Sequence, residues 1–346
     1  MNPIGKASRS TSVLLVCALA IAIPVFAQAD PSTPVARYGR LQVLMGRLCD
    51  SNGDAVQLKG MSTSGLQWSG GIVNEDSFTA LARDWDCDVI RLALYVGENG
   101  YATHPELGRI VEKAIVLAEK LGIYVIVDWH VLNPGSPNDP VYSGAEAFFA
   151  QIAKEYGSKP NVLYEIMNEP NGSLSWARDL KPYAAKIVSV IRAIDPSNII
   201  IIGSGTWSQD VDLAADDPIP GTNLMYSVHF YAGTHGFALR GKISRALAEG
   251  AAVFCTEWGT SEASGDGGPY FDASDEWLKF LDDHKISWTN WSLSDKNESS
   301  AAFKAGTGLV PKAIGPEGYG IWTPDQLSAS GAYVRAKIRG TPAAAQ

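Results

Sequence analysis

The sequence is poor in positive charge. It has 28 lysines and arginines against 37 aspartates and glutamates, a formal net charge of -9, and no run of basic residues. Nucleic acids and anionic membrane surfaces attract proteins through clustered lysine and arginine. The composition therefore argues against both as partners.

A long apolar run is also missing. Residues 13–23 are apolar but too short to span a membrane comfortably; they follow Lys6 and Arg9 and precede the small-residue site Ala27–Ala29. This order is typical of a cleaved signal peptide, with an uncleaved membrane anchor as the alternative. We predict that residues 1–29 form a signal peptide, cleaved near Ala29, and that the protein is exported to the periplasm or the medium.

Cysteine is scarce. Only Cys49, Cys87 and Cys255 follow the predicted signal peptide, and this odd number allows at most one internal disulfide. Cys255 lies in the apolar stretch AAVFCTEW, as a small buried hydrophobic residue would. Cys49 and Cys87 are either joined or two packed thiols, and the sequence leaves both possibilities open.

Linkers and common nucleotide motifs are absent as well. No segment rich in proline, serine or threonine divides residues 30–346, so we predict one catalytic domain without a carbohydrate-binding module. The first apolar strand is followed by no G-x-G-x-x-G, the fingerprint of dinucleotide-binding sheets. This disfavours an open doubly wound sheet.

What the chain does contain is a regular alternation of short apolar runs with amphipathic helical patterns. The runs, several of them continuous as in parallel strands buried on both faces, are 55–62, 88–95, 123–130, 161–169, 198–204, 223–231, 251–258 and 286–293. Eight strands alternating with helices predict an α/β protein, a single-domain (β/α)8 TIM barrel. Residues 37–60 precede it and predict a β-hairpin, with Asn52-Gly53 as its turn, that closes the barrel bottom.

Polar side chains recur where the predicted strands end. Active sites of such barrels lie at the carboxyl ends of the strands, which here carry Arg91, Tyr95, Asp128, His130, Asn168, Glu169, His229, Tyr231, Glu257 and Trp291. Any one of them could be a satisfied buried polar group. Because so many converge on one rim, the set indicates a functional site.

Glu169 and Glu257 form a pair of carboxylates that suits glycoside hydrolysis. At about 5–5.5 Å one carboxylate attacks the anomeric carbon and configuration is retained, whereas about 6.5–9.5 Å leaves room for a water and gives inversion. Arg91 and a Tyr231 hydroxyl could keep the nucleophile ionised. Trp207, in a strand-end loop, could offer a flat apolar face to a sugar ring.

Two other chemistries fit less well. His130, His229 and Asp128 could be drawn as metal ligands with the two glutamates, but H-E-x-x-H is absent. The stretch GSGTW resembles the G-x-S-x-G of serine hydrolases but lacks its last glycine. We therefore predict neither metal catalysis nor a serine triad.

Taken together, the stretches YEIMNEPNG, VIVDWH, HFYAGTHG, TEWGTSEASG and NWSLSDKNESSAAF resemble glycoside hydrolase family 5, in particular its bacterial endo-β-1,4-glucanases. The resemblance covers about residues 38–342. It implies a retaining mechanism without a cofactor, acting on a β-glucan or cello-oligosaccharide. By motif, Glu169 of N-E-P would be the acid/base and Glu257 of T-E-W-G the nucleophile. We also expect a monomer.

The resemblance also implies substrate-binding residues. Asn168 would hold the 2-hydroxyl at the cleaved sugar and Trp291 would stack there. The other residues it implies are Arg91, His130, His229 and Tyr231 in the polar shell, Trp68, Lys296, Asn297 and Glu298 on the non-reducing side, and Tyr95, Ala263 and Ser264 along the cleft.

The chain departs from the family at two positions. Similar cellulases usually read S-H-G-L-Q-W-Y where this chain has Ser64 in place of the histidine and Ser69 in place of the tyrosine. Both changes predict lost ring surface beside the substrate. Another β-glycanase, such as a mannanase or xyloglucanase, is an alternative that Lys296 and Glu298 disfavour. A non-catalytic sugar-binding barrel is disfavoured because both glutamates are present.

Overall fold

A computed structural model of the protein describes residues 30–341, together with Met1 and Gly5. The predicted signal peptide lies almost entirely outside these residues. Their centre is a closed barrel of eight parallel strands, each hydrogen-bonded to the next and the last to the first. The strands, here β1 to β8, span Lys59–Thr63, Val89–Tyr95, Tyr124–His130, Val162–Glu165, Ile200–Ile202, Leu224–Tyr231, Val253–Gly259 and Trp288–Leu293. The predicted (β/α)8 barrel is confirmed.

The barrel strands form where the sequence concentrates β-branched and aromatic residues. Every residue of β2, β3 and β6 is buried, as expected for strands that face side chains inside the barrel and helices outside it. The short β5 is three consecutive isoleucines. Such runs stay in the sheet because both faces of the strand are removed from water.

Helices cover the outside of the barrel. They span Glu75–Arg83, Gly108–Leu121, Ala145–Tyr156, Lys181–Arg192, Val211–Asp216, Phe237–Ala248, Phe271–Asp283 and Ala329–Arg339. Asn74 caps the first of these, since its side chain accepts a hydrogen bond from the Ser77 amide. Gly122, at φ 70°, ends the second in a left-handed cap.

The barrel bottom is closed by a hairpin whose turn differs from the prediction. Strands Gln42–Leu44 and Arg47–Cys49 pair antiparallel around Met45 and Gly46, which both have positive φ, as a tight hairpin turn requires. Asn52-Gly53 instead makes a second reversal that pairs Cys49 with Ala55. The hairpin was expected at the right place, but its turn was assigned to the wrong dipeptide.

The hairpin packs onto the amino ends of the strands. Leu41 and Leu48 belong to one buried cluster with residues that begin barrel strands, such as Val89 and Tyr124. Tyr124 also donates a hydrogen bond of 2.6 Å to the carbonyl of Gly39. The expectation that this segment covers the barrel bottom is thereby met, and the opposite end is left for the site.

The three described cysteines are buried free thiols, so no disulfide joins Cys49 and Cys87. Within residues 30–341 no helix is both long and apolar enough to cross a bilayer.

Candidate active site

Strand register brings the polar residues of neighbouring strands side by side. Asp128 on β3 is paired with Glu165 on β4, and His229 on β6 with Glu257 on β7. Arg91 on β2 is fully buried and points into the same region. Inward-facing residues of adjacent parallel strands lie at one level of a barrel, so these charges meet in one layer near the carboxyl ends of the strands.

A cavity of about 670 Å³ opens above this layer. The predicted site residues that line it are Tyr95, His130, Glu169, Trp207, His229, Tyr231, Glu257, Ala263, Ser264, Trp291, Lys296 and Glu298. It is also lined by Leu132, Thr206, Gln209, His235 and Gly265, which the sequence analysis did not select. These five lie in loops, where no strand-end pattern marks them.

Glu169 and Glu257 lie on opposite sides of this cavity and close together. A carboxylate oxygen of each, with a ring nitrogen of His229, falls within 4.8 Å of the others. The Glu169 side chain is 12% exposed and that of Glu257 5%. These three residues could accept a cation, but each already has a hydrogen-bonding partner in the site.

Glu257 is held by two donors. Arg91 Nη1 lies 3.1 Å from its Oε2, and the Tyr231 hydroxyl donates to its Oε1 at 2.6 Å. Burial, followed by the charge of Glu257, raises the pKa of Tyr231 well above its usual value. Tyr231 therefore keeps its proton, and the carboxylate of Glu257 receives one neutral and one charged hydrogen bond.

Arg91 is the central cation of the buried layer. Its Nε donates to Glu165 Oε2 at 2.6 Å, and its Nη2 lies 3.0 Å from Asp128 Oδ2. Burial alone would raise the pKa of Glu165, but Arg91 and His229 together outweigh it and lower this pKa to about 2. Burial raises the pKa of Asp128 well above its usual value. One guanidinium thus faces more carboxylates than it can neutralise.

His130 is neutral and fixed in one tautomer. Its Nδ1 lies 2.6 Å from Asp128 Oδ2, and its Nε2 lies 3.1 Å from the amide nitrogen of Asn168. Burial and the nearby Arg91 lower the pKa of His130 to about 3. Nε2 can therefore accept from Asn168 while Nδ1–H donates to Asp128.

Asn168 lies beneath the cavity. Its Oδ1 accepts from Arg91 at 2.6 Å, and its amide nitrogen also donates to the carbonyl of Val131 at 3.2 Å. The side chain is fully buried and is not part of the cavity lining. Its expected bond to a sugar hydroxyl stays a prediction. Asn168 lies next to Glu169 in the sequence, and its side chain fixes the imidazole of His130.

His229 connects the acid/base candidate to the buried layer. Its Nδ1 lies 2.9 Å from Glu169 Oε1, and its Nε2 lies 2.8 Å from Thr256 Oγ1, which donates to Glu165 at 2.6 Å. Burial opposes the charged imidazole, but the nearby carboxylates of Glu165 and Glu169 help to outweigh it, and the pKa of His229 is raised to about 9. Because Thr256 donates onward, Nε2 carries a proton and Nδ1 faces Glu169.

Glu165 and Thr256 were missed, and Asp128 was noted but not selected. The sequence carries a signal for Glu165, since a carboxylate inside a run buried on both faces needs a cationic partner. Thr256 gives no such signal, because a threonine is ordinary in a strand.

Stacked rings form one wall of the cavity. The rings of Tyr95 and His130 stack with centroids 4.0 Å apart, and His130 and Trp291 follow at 5.7 Å. Trp68, 54% exposed, meets Tyr95 edge-on at 5.1 Å, and Lys296 Nζ lies 5.3 Å from its ring centroid. Trp68 therefore extends this wall beyond the cavity rather than lining it.

The interpretation of Ser64 and Ser69 needs correction. Ser64 is fully buried, its hydroxyl has no hydrogen-bond partner among residues 30–341, and Ser69 is 5% exposed. Neither lines the cavity, and Asn297 does not either. The two serines do not leave open, ring-sized space at the surface of the cleft, because the surrounding chain already covers them.

Trp207 reaches the cavity from a turn of unusual backbone conformation. Thr206, Trp207 and Ser208 follow one another with φ of 53°, 55° and 56°. Left-handed backbone costs a residue with a side chain roughly 1–2 kcal/mol, and it is rarest for β-branched residues such as threonine. Three in succession persist only where surrounding contacts hold them.

A family model described as cellulase (glycosyl hydrolase family 5) matches residues 49–297. This match spans most of the chain, including both glutamates and the buried layer beneath them. The chain belongs to glycosyl hydrolase family 5.

Curated relatives named as endoglucanases agree. An endoglucanase of Clostridium saccharobutylicum is 50% identical over 89% of this chain and 67% of its own length. Endoglucanase 5 of Pectobacterium carotovorum is 48% identical over 89% of this chain and 59% of its own length. The chain thus spans about two thirds or less of these relatives.

Solved cellulase and endoglucanase structures share the fold over nearly their whole length. A thermostable GH5 cellulase from an Icelandic hot spring isolate superposes with a TM-score of 0.84 at 48% identity, covering 89% of this chain and 97% of that one. A Thermobifida fusca endoglucanase catalytic domain, solved with cellotetraose, gives 0.81 at 42%, covering 89% and 99%.

Proposed function

We propose that this protein is a secreted, retaining endo-β-1,4-glucanase that cleaves internal bonds of cellulose or related β-glucans. The observation that carries the proposal is the approach of Glu169 and Glu257 to within 4.8 Å across the cavity. This spacing suits direct attack by a carboxylate and leaves no room for the water of an inverting enzyme. The endoglucanase names of the relatives support the substrate class.

Glu257 is the proposed nucleophile. Arg91 and Tyr231 both donate hydrogen bonds to its carboxylate, and a carboxylate in this position can form the glycosyl ester. Its two donors also fix the carboxylate in one orientation towards the cavity. When the ester forms, Arg91 keeps its bonds to Glu165 and Asn168, so the layer below does not have to rearrange.

Glu169 is the proposed acid/base. It is the more exposed of the two glutamates, and it is hydrogen-bonded to His229. His229, whose pKa is raised to about 9, stays charged throughout. Its Nδ1–H donates to an oxygen of protonated Glu169 and then, once the leaving group has taken the Glu169 proton, to the resulting carboxylate. Thr256 keeps the Nε2 proton in place throughout. This is the two-state behaviour that an acid/base residue needs in a double displacement.

The test is reducing-sugar release from carboxymethylcellulose, lichenan, mannan and xyloglucan, followed by proton NMR of the first products from a cello-oligosaccharide. We expect activity on the two β-glucans and initial formation of the β-anomer. Initial α-anomer would contradict retention. Preferential release from mannan or xyloglucan would move the substrate to that polysaccharide while leaving the mechanism intact.

A further inference from the structure

The left-handed turn that carries Trp207 is hydrogen-bonded on one side to the carboxylate of Asp210. Asp210 Oδ2 accepts from the Thr206 hydroxyl at 2.7 Å, and Asp210 Oδ1 accepts from Lys242 Nζ at 2.6 Å. Asp210 is 19% exposed in its side chain, and Lys242 39%. The ion pair is therefore partly shielded from water, where such pairs hold geometry better than fully exposed ones.

Asp210 does not serve as an ordinary helix cap. It stands immediately before helix Val211–Asp216, where an aspartate usually accepts from the first free amides. Here the side chain makes no such bond and turns back towards Thr206. A side-chain atom at Gly205 would lie 3.0 Å from Asp210 Oδ2. The carboxylate thus fills the concave side of the turn.

The other side of the same turn is fastened to the segment that carries Glu169. The Ser208 hydroxyl donates to the carbonyl of Asn168 at 2.5 Å, and the Trp207 amide donates to the carbonyl of Pro170 at 3.0 Å. These two carbonyls flank Glu169 in sequence. The turn therefore connects Trp207, 45% exposed at the cavity, with the backbone on both sides of the acid/base candidate.

We propose that Asp210, with Lys242, is a positioning residue that holds the turn 206–208 left-handed and so sets Trp207 as a sugar platform beside Glu169. This inference rests on the proposed β-glucanase function. A platform next to the acid/base contacts the sugars on the leaving-group side of the cleaved bond, opposite Trp68 and Lys296. Relaxation of the turn to right-handed backbone would swing the Trp207 ring away from the cavity.

The test compares Asp210→Ala with Trp207→Ala on two substrates. Cellopentaose places sugars on the leaving-group side, whereas 2-chloro-4-nitrophenyl cellobioside carries only a small activated ring there. We expect each variant to raise KM for cellopentaose about two- to tenfold, the range for one aromatic stacking contact. We expect at most about a twofold change in kcat/KM for the aryl cellobioside. The double variant should be no worse than Trp207→Ala alone, since both changes remove the same contact.

Asp217→Ala is the matched control, because it removes another aspartate–lysine pair, with Lys181, away from the turn. If Asp210→Ala fails to fold, Thr206→Val takes its place, since it deletes only the hydroxyl that Asp210 accepts. Losses that multiply in the double variant, or equal losses on both substrates, would overturn the assignment of Asp210. A wild-type protein inactive on both substrates would instead overturn the proposed function.

Discussion

His229 Nδ1 lies 2.9 Å from Glu169 Oε1, at the point where the buried charged layer reaches the cavity. On the barrel side of this contact the charged residues are buried, whereas on the other side Glu169 lines the cavity. The same imidazole reaches Glu165 through Thr256. Protonation at the cavity is therefore coupled to the charge balance around Arg91.

This contact predicts a pH-dependent stability. The folded pKa of His229, about 9, is above the unfolded value of about 6.5. The protonated imidazole therefore stabilises the fold fully below pH 6.5, and this contribution is lost as pH rises through 9. We expect His229→Gln to lower the free energy of unfolding by roughly 3 kcal/mol more at pH 6 than at pH 10. Urea unfolding of the wild type and of His229→Gln at pH 6 and pH 10 measures this change. If the two proteins differ in unfolding free energy by the same amount at both pH values, the raised pKa of His229 is contradicted.

The two glutamates should differ in what their removal abolishes. Glu257→Ala should stop turnover on every substrate, because no other group can form the glycosyl ester. Glu169→Ala should stop polysaccharide hydrolysis but still undergo glycosylation by an aryl cellobioside whose leaving group needs no proton. Pre-steady-state release of the phenol measures that step, and equal loss of it in both variants would show that the roles are misassigned.

Arg91 should matter for folding as well as for catalysis. Arg91→Met leaves Glu165, Asp128 and Glu257 without their cation, and breaking a buried pair in this way costs about 3–5 kcal/mol of unfolding free energy. Arg91→Lys should recover only part of the loss, because an ammonium cannot reproduce the guanidinium fork. Denaturant unfolding measures both, with Arg178→Met, which removes an exposed pair, as a control.

Comparison of the two variants separates charge from geometry. If Arg91→Lys restores full stability, the positive charge alone balances the layer. If Arg91→Met is as stable as the wild type, the carboxylates are taking up protons instead, and the layer is not organised by charge pairing. We expect the unfolding free energy of Arg91→Lys to lie between those of the wild type and Arg91→Met.

The sequence was sufficient to predict the barrel because each strand is a local signal. The run 123–130 and the strand Tyr124–His130 nearly coincide, since β-branched and aromatic residues occupy five of the seven strand positions. The run 161–169 is longer than the strand Val162–Glu165. Ile166 and Met167 stay buried without remaining in the strand, and composition cannot distinguish burial from strand pairing.

Contacts that depend on the register between strands were harder to predict from the sequence. Arg91 and Glu257 were expected together, but Arg91 also meets Glu165 and Asp128, and this requires the relative shifts of β2, β3 and β4. The left-handed turn at Thr206 was equally hidden. Three consecutive residues with side chains give no local sign of positive φ, because contacts from Asp210 and Asn168 impose it.

The buried position of Ser64 changes the expected effect of restoring the family's histidine. An imidazole at a site that is fully covered and outside the cavity must displace neighbours, and overpacking of this kind costs about 1–3 kcal/mol. We expect Ser64→His to lower the melting temperature and to leave KM for cellopentaose unchanged, since the ring does not reach the substrate. Ser64→Ala is the control: it removes a buried hydroxyl that has no hydrogen-bond partner in the described part of the chain, so stability should be equal or slightly higher. A Ser64→His variant of wild-type stability with a severalfold lower KM would show that position 64 opens to the cleft when substrate binds.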